Sequence, residues 1–221
     1  MKETEKKLLF LGSGFIVAFI VWTLLIQKVD VQPLGAKDTN IGFATINCWF
    51  HEATGVHMKI YHITDWLGLV PIFICMLFGC VGFIQLIKRR SFLKVDCDII
   101  LLGGYYIIVI FGYLFFEMIP INYRPILIGG FLEASYPSST TLLVLCVMPT
   151  LVEQMNRRTE HTTVKRFIKV FVVCFSVFMA LGRLISGVHW LTDIVGSIML
   201  SVGLFCIYKA TVLLCYKGIN R

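Results

Sequence analysis

The sequence predicts an all-α, polytopic integral membrane protein with six transmembrane helices and both termini in the cytoplasm, forming one unit over residues 1–221. Three observations carry that expectation. The chain is 57% hydrophobic and only 15% charged, with a mean hydropathy of +0.83, too apolar for an ordinary soluble domain. Six apolar runs approach the roughly 20 residues that a helix needs to cross the hydrocarbon core. The basic residues cluster on alternate connections, as they do in proteins that cross a bilayer several times.

The first run, Leu8 to Gln27, follows Lys2, Lys6 and Lys7. It is long, and no small-residue cleavage site follows it, so it reads as a retained helix and not a signal peptide. Trp66 to Ile87 is the second run, with Thr64 or Asp65 expected to cap its helix. Ile99 to Phe116 is the third. Thr140 to Met155 is the fourth and shortest, and Pro149 interrupts it; Phe167 to Leu184 and Trp190 to Tyr208 complete the set. Gly79, Gly82, Gly103 and Gly104 read as positions of close helix packing.

Lys88, Arg89, Arg90 and Lys94 follow the second run. Arg157, Arg158, Lys165, Arg166 and Lys169 surround the connection between the fourth and fifth, and Lys209, Lys217 and Arg221 close the chain. With the three N-terminal lysines these are fifteen of the 20 Lys and Arg residues, all on one side of the predicted membrane. The net charge of +7 is therefore a topology signal, with no nucleic-acid surface implied. Of eight cysteines only Cys48 falls in an external segment, so no external disulfide is expected.

The external connection from Lys28 to Asp65 contains His51, His57 and His62. HEATGVH resembles a metalloprotease pattern, but four residues separate Glu52 from His57 where that pattern needs two. Cys/His spacings of structural zinc sites are absent too, so no metal is expected. The histidines read as interfacial residues or as the rim of a pocket. Lys88 to Asp98 and Asn156 to Arg166 read as solvated basic loops, with His161 exposed in the latter.

Candidate chemistry gathers in GRLISGVHWLTD, Gly182 to Asp193. His189 and Asp193 are four apart, so a helix beginning near the histidine places both on one face, where the carboxylate can orient the imidazole. Arg183 can reach the same place with a forked donor suited to phosphate oxygens. A second external connection, Glu117 to Thr141, brings Arg124 before Pro125, and Pro137 before Ser138, Ser139, Thr140 and Thr141. A helix starting at such a hydroxyl run exposes backbone N–H groups that favour an anion. All of these residues fall at one predicted membrane face.

They resemble the motifs of the type 2 phosphatidic acid phosphatase superfamily: Lys, six residues, Arg-Pro; Pro-Ser-Gly-His; and Ser-Arg, five residues, His, three residues, Asp. Arg183, His189 and Asp193 match the third in identity and spacing, with Gly182 in place of the serine. Arg124 and Pro125 match the end of the first, and Pro137 and Ser138 the start of the second. The resemblance implies a membrane lipid phosphatase that needs no metal or other cofactor. His189 would attack phosphorus, Asp193 would orient it, and Arg124, Ser138, Ser139 and Arg183 would hold the phosphate.

Two departures bear on mechanism. Glu117 stands where the family has lysine, and Thr140 where it has the histidine that protonates the leaving group. A proton donor contributes roughly 100- to 10,000-fold to expulsion of an alkoxide. Cleaving a pyrophosphate expels phosphate, which leaves without that help. The expected substrate is accordingly a lipid pyrophosphate such as a polyprenyl (undecaprenyl) pyrophosphate at the extracytoplasmic face, with membrane lipids as the surroundings. Rival readings are a phosphotransferase with a lipid or sugar acceptor, and a degenerate lipid-phosphate binder favoured by Glu117 and Thr140. A channel is disfavoured, because few ionisable residues fall inside the runs.

Overall fold

The computed structural model describes residues 3–219, apart from the side chains of 218 and 219. Among the described residues there are α-helices and short turns but no strand: α1 (Glu3–Ile26), α2 (Ala44–Thr54), α3 (Met58–Leu67), α4 (Leu69–Arg89), α5 (Cys97–Met118), α6 (Ser139–Arg158), α7 (Thr162–Ile185) and α8 (Leu191–Ile219). The all-α expectation holds, and each of the six apolar runs lies on a helix.

Helices α3 and α4 join through Gly68, whose φ of −60° and ψ of −16° are helical, so Met58–Arg89 is one 32-residue path. The second span thus starts about two turns earlier than the apolar run indicates. Thr64 and Asp65 lie inside this path and do not cap it; the Thr64 hydroxyl donates instead to the Ile60 carbonyl at 2.9 Å.

Five helical paths are long and apolar enough to cross a membrane: Glu3–Ile26, Met58–Arg89, Cys97–Met118, Thr162–Ile185 and Leu191–Lys217. Large side chains on them, such as Phe10, Phe111 and Phe167, are 84%, 68% and 72% exposed, which only a lipid environment tolerates on this scale. The chain is a multi-pass membrane protein. Helix α6 is more polar because it is central: it packs against α4, α5, α7 and α8 and buries Thr141, Thr150 and Gln154 among Val144, Val147 and Met148. Its polar groups are met by protein, with the Thr150 hydroxyl 2.7 Å from that of Tyr106.

Close packing in this bundle uses other glycines than those expected. A side chain at Gly79, Gly103 or Gly104 would meet no atom within 4 Å, because these positions face outward; only Gly82 has a near neighbour, Ile99. The tight contact is between α1 and α8, where a Cβ at Gly12 would lie 2.8 Å from Ile207 and one at Gly203 2.8 Å from Ile16.

One end of the bundle gathers the basic residues, in the ion pairs Arg158–Asp98, Arg89–Asp96 and Lys217–Glu5. Cys97 and Cys215 are disulfide-bonded there, joining the start of α5 to the end of α8. The sequence offered no reason to pair them, since that end was assigned to the reducing cytoplasm.

Candidate active site

The opposite end is built from three connections. Between α5 and α6 the chain folds back on itself, with bridges Tyr123↔Ala134 and Ile128↔Phe131 closed by Gly129 and Gly130. This puts Arg124 across from Glu133: the Arg124 N–H donates to the Glu133 carbonyl at 3.0 Å, and the side chains pair at 3.1 Å. Trp190 fastens the loop to the α7–α8 turn, its indole N–H donating to the Tyr123 carbonyl at 2.7 Å.

The α7–α8 turn is held from the other side by the α2–α3 connection, with the His57 N–H donating to the Ser186 carbonyl at 3.0 Å. Gly187 sits at φ +71°, and a Cβ there would fall 2.2 Å from the Gly55 carbonyl oxygen, so glycine is required twice over. Gly182, the residue that replaces the motif serine, has a similar cause. A Cβ at 182 would lie 2.7 Å from the Thr64 methyl, so α3 can lie against α7 only where that side chain is missing.

His189 lies in the turn, one residue before the N-cap of α8, and is 3% exposed. Its Nδ1 is 3.1 Å from the Ser135 carbonyl oxygen and 3.5 Å from Asp193 Oδ2. Two acceptors thus make Nδ1 the protonated nitrogen and leave Nε2 as an acceptor, 3.5 Å from the Arg183 Nη2 that donates to it. Burial, reinforced by the Arg124 and Arg183 charges, holds the His189 pKa well below the usual imidazole range, against a smaller opposing pull from the Ser135 carbonyl. The resting imidazole is neutral, so its contact with Asp193 becomes an ion pair only when the ring gains charge. Asp193 Oδ2 also accepts the Trp190 N–H at 2.9 Å, closing the first turn of α8 as half of a capping box.

Arg183 is 1% exposed and Arg124 8%; Arg183 Nε and Arg124 Nη1 are in no hydrogen bond or ion pair, while Arg124 Nε lies against Glu133 and Arg183 Nη1 against Asp65. Both guanidiniums face the ring of Tyr61, at 4.9 Å for Arg183 and 5.9 Å for Arg124. Asp65, one turn further along α3, lies 3.5 Å from Arg183 Nη1. The two arginines line a cavity of about 720 Å³ that runs from Glu117, Ser139 and Thr140 down between α4 and α5 to Ile72, Cys75 and Val109.

The expected site residues are therefore brought to one end, though not all face the cavity. Arg124, Arg183, Ser139, Thr140 and Glu117 line it. His189 and Asp193 sit buried behind the arginines, and Ser138 is fully buried with its hydroxyl 3.0 Å from that of Thr141. Glu117 pairs with neither arginine; Glu133 and Asp65 hold those places. Tyr61, Asp65, Glu133 and the Ser135 carbonyl were missed from sequence. None lies in a recognisable motif, and the Tyr61–Asp65 spacing of one helical turn marks them only once α3 is known to begin at Met58.

A family model described as the PAP2 superfamily matches residues 99–216, more than half of the chain. Among solved structures, the crystal structure of a transmembrane PAP2-type phosphatidylglycerolphosphate phosphatase from Bacillus subtilis is similar, with a TM-score of 0.65 over 90% of this chain and 94% of that one. At 15% identity that likeness is one of fold. Among curated proteins no sequence match is found. Arg124, Arg183, His189 and Asp193 all fall inside the matched segment, and the chain belongs to the PAP2 superfamily, with the fold of its membrane lipid phosphatases.

Proposed function

We propose that the chain hydrolyses a lipid phosphate or pyrophosphate through a phosphohistidine at His189, without a metal, at the extracytoplasmic face. The observation that carries this reading is the pair of buried arginines, each with a nitrogen in no hydrogen bond or ion pair, beside the unprotonated Nε2 of His189. Buried donors left unpaired cost about 1–3 kcal/mol each, more when charged, and a phosphate group answers several at once. Nε2 attacks phosphorus as the leaving oxygen departs on the far side. The imidazolium character then developing at Nδ1 is stabilised by the Ser135 carbonyl and the Asp193 carboxylate. Water hydrolyses the phosphohistidine and returns the site. The apolar reach of the cavity along Leu69, Ile72, Val109 and Ile110 suits a hydrocarbon tail entering between α4 and α5.

Thr140 lines the cavity where a histidine acid is expected, and a hydroxyl is a poor acid at neutral pH. The substrate's leaving group must therefore depart without a proton from that position, which a polyprenyl pyrophosphate satisfies. The extracytoplasmic placement rests on the bias of Lys and Arg in the sequence toward the connections of the opposite face. The disulfide at that basic end, which suits an oxidising compartment, is one pair of residues against a charge bias that draws on many. The reading is tested by phosphate release from farnesyl pyrophosphate by the purified chain in detergent with EDTA present. Release lost in His189→Ala supports it, and release that persists in that variant rules out the phosphohistidine. Transfer to an added lipid or sugar acceptor, in place of release, favours the transferase.

A further inference from the structure

We infer that the substrate carries an ammonium group close to its scissile phosphate, and that Glu117, with Asp65 and Glu133, receives it. The inference rests on the phosphatase reading and names the substrate class of that same site. The charged groups lining the cavity are three carboxylates, Asp65, Glu117 and Glu133, and two guanidiniums, Arg124 and Arg183. In the empty site Asp65 and Glu133 serve as counterions, 3.5 Å and 3.1 Å from Arg183 and Arg124. Among the described residues Glu117 is in no ion pair, and it occupies the position where the family pattern has a lysine.

A phosphate that engages Arg183 Nε and Arg124 Nη1, and the nitrogens against which Asp65 and Glu133 lie, competes with both counterions. It then leaves three carboxylates and its own charge around one cavity, a concentration of negative charge that two guanidiniums do not balance. Sugar hydroxyls would hydrogen-bond to the carboxylates without cancelling that charge. A positive charge on the substrate cancels it, with the anion held by the arginines and the cation by the acidic wall.

The same ammonium accounts for Thr140. When it stands two carbons from the ester oxygen, His189 Nε2 forms the N–P bond and the P–O bond breaks with its electron pair going to the leaving oxygen. That oxygen takes a proton from the ammonium through a bridging water. The product is an amino alcohol whose free amine regains a proton from solvent, and water then hydrolyses the phosphohistidine. A pyrophosphate explains the missing acid but adds charge to the acidic wall. An ammonium-bearing lipid monophosphate explains both departures.

The test compares sphingosine 1-phosphate with its N-acetyl derivative, in which an amide replaces the ammonium, using the full chain in detergent with EDTA. Expected is a kcat/KM about tenfold or more higher for the ammonium form. That ratio should fall toward one in Glu117→Gln and reverse in Glu117→Lys. Equal turnover, or a preference for the N-acetyl lipid, overturns the inference. A preference that survives Glu117→Gln, Glu133→Gln and Asp65→Asn overturns it as well. His189-dependent release from farnesyl pyrophosphate with none from sphingosine 1-phosphate leaves the phosphatase standing and removes the ammonium. No His189-dependent release from any of the three lipids removes the phosphatase reading itself.

Discussion

The Ser135 carbonyl oxygen lies 3.1 Å from Nδ1 of His189, nearer than the Asp193 carboxylate at 3.5 Å. The tautomer that frees Nε2 is therefore set by a backbone group that no substitution removes, and the carboxylate is left to stabilise the charged ring. Asp193→Asn should lower kcat by about 10- to 1,000-fold, short of the ~10,000-fold seen where a carboxylate alone fixes the tautomer. A loss at or beyond that upper figure, in a folded variant, would show that Asp193 sets the tautomer after all.

Burial depresses the His189 pKa, so the folded chain resists a proton that the unfolded chain accepts near the ordinary imidazole value of about 6.5. The unfolded state then binds more protons, and stability falls as pH drops below about 6.5 toward the depressed folded value; above that window the group contributes no pH dependence. Thermal melts of the detergent-solubilised protein should show this acid slope, and His189→Gln should flatten it. Ring nitrogen NMR should show His189 neutral and protonated on Nδ1 at about pH 6. Titration near 6.5 would contradict the assignment.

Gly182→Ser restores the residue of the family motif and should nevertheless harm this protein. The new Cβ meets the Thr64 methyl at 2.7 Å, and overpacking of this kind costs about 1–3 kcal/mol. Thr64→Ser, which removes that methyl, should recover the stability lost in Gly182→Ser. A single variant as stable and active as the parent would mean that α3 shifts without consequence.

Tyr61 holds both guanidiniums against one ring, an arrangement worth about 0.5–2 kcal/mol per contact. Tyr61→Phe keeps the ring and should keep KM near the parent value. Tyr61→Leu should raise KM several-fold, with kcat less affected. Equal KM values for the two variants would remove the ring from substrate binding.

The orientation read from charge is open to labelling. Asp38→Cys, exposed at the site end, should react with a membrane-impermeant maleimide in intact cells, and Arg90→Cys, at the basic end, should react only after lysis. The reverse pattern would put the site in the cytoplasm and the Cys97–Cys215 disulfide outside.

Membrane residence, the helical class and the candidate residues of the site were legible in the sequence because each is written locally. Apolar run length marks a span, basic residues mark its ends, and His189, Asp193 and Arg183 sit within one short stretch. Helix α6 was the hardest to read because its surroundings are protein, so its composition is mixed where the lipid-facing helices are uniformly apolar. Glycines 79, 103 and 104 misled for a related reason: a small residue permits close packing, but only the arrangement of neighbours decides whether anything approaches.

What the sequence determined by itself is the helical membrane class and the set of candidate groups, since Arg183, His189 and Asp193 lie within one short stretch. What only the tertiary structure decided is how those groups are held: which carboxylates accompany Arg124 and Arg183, that Tyr61 lies against both, and that Ser135 meets His189. These partners come from segments far apart in the chain, and their pairing follows from α3 lying against α7 at Gly182 and from the α5–α6 connection folding back on itself. Contacts of that kind arise from packing between elements, which leaves no periodic mark in either strip of sequence.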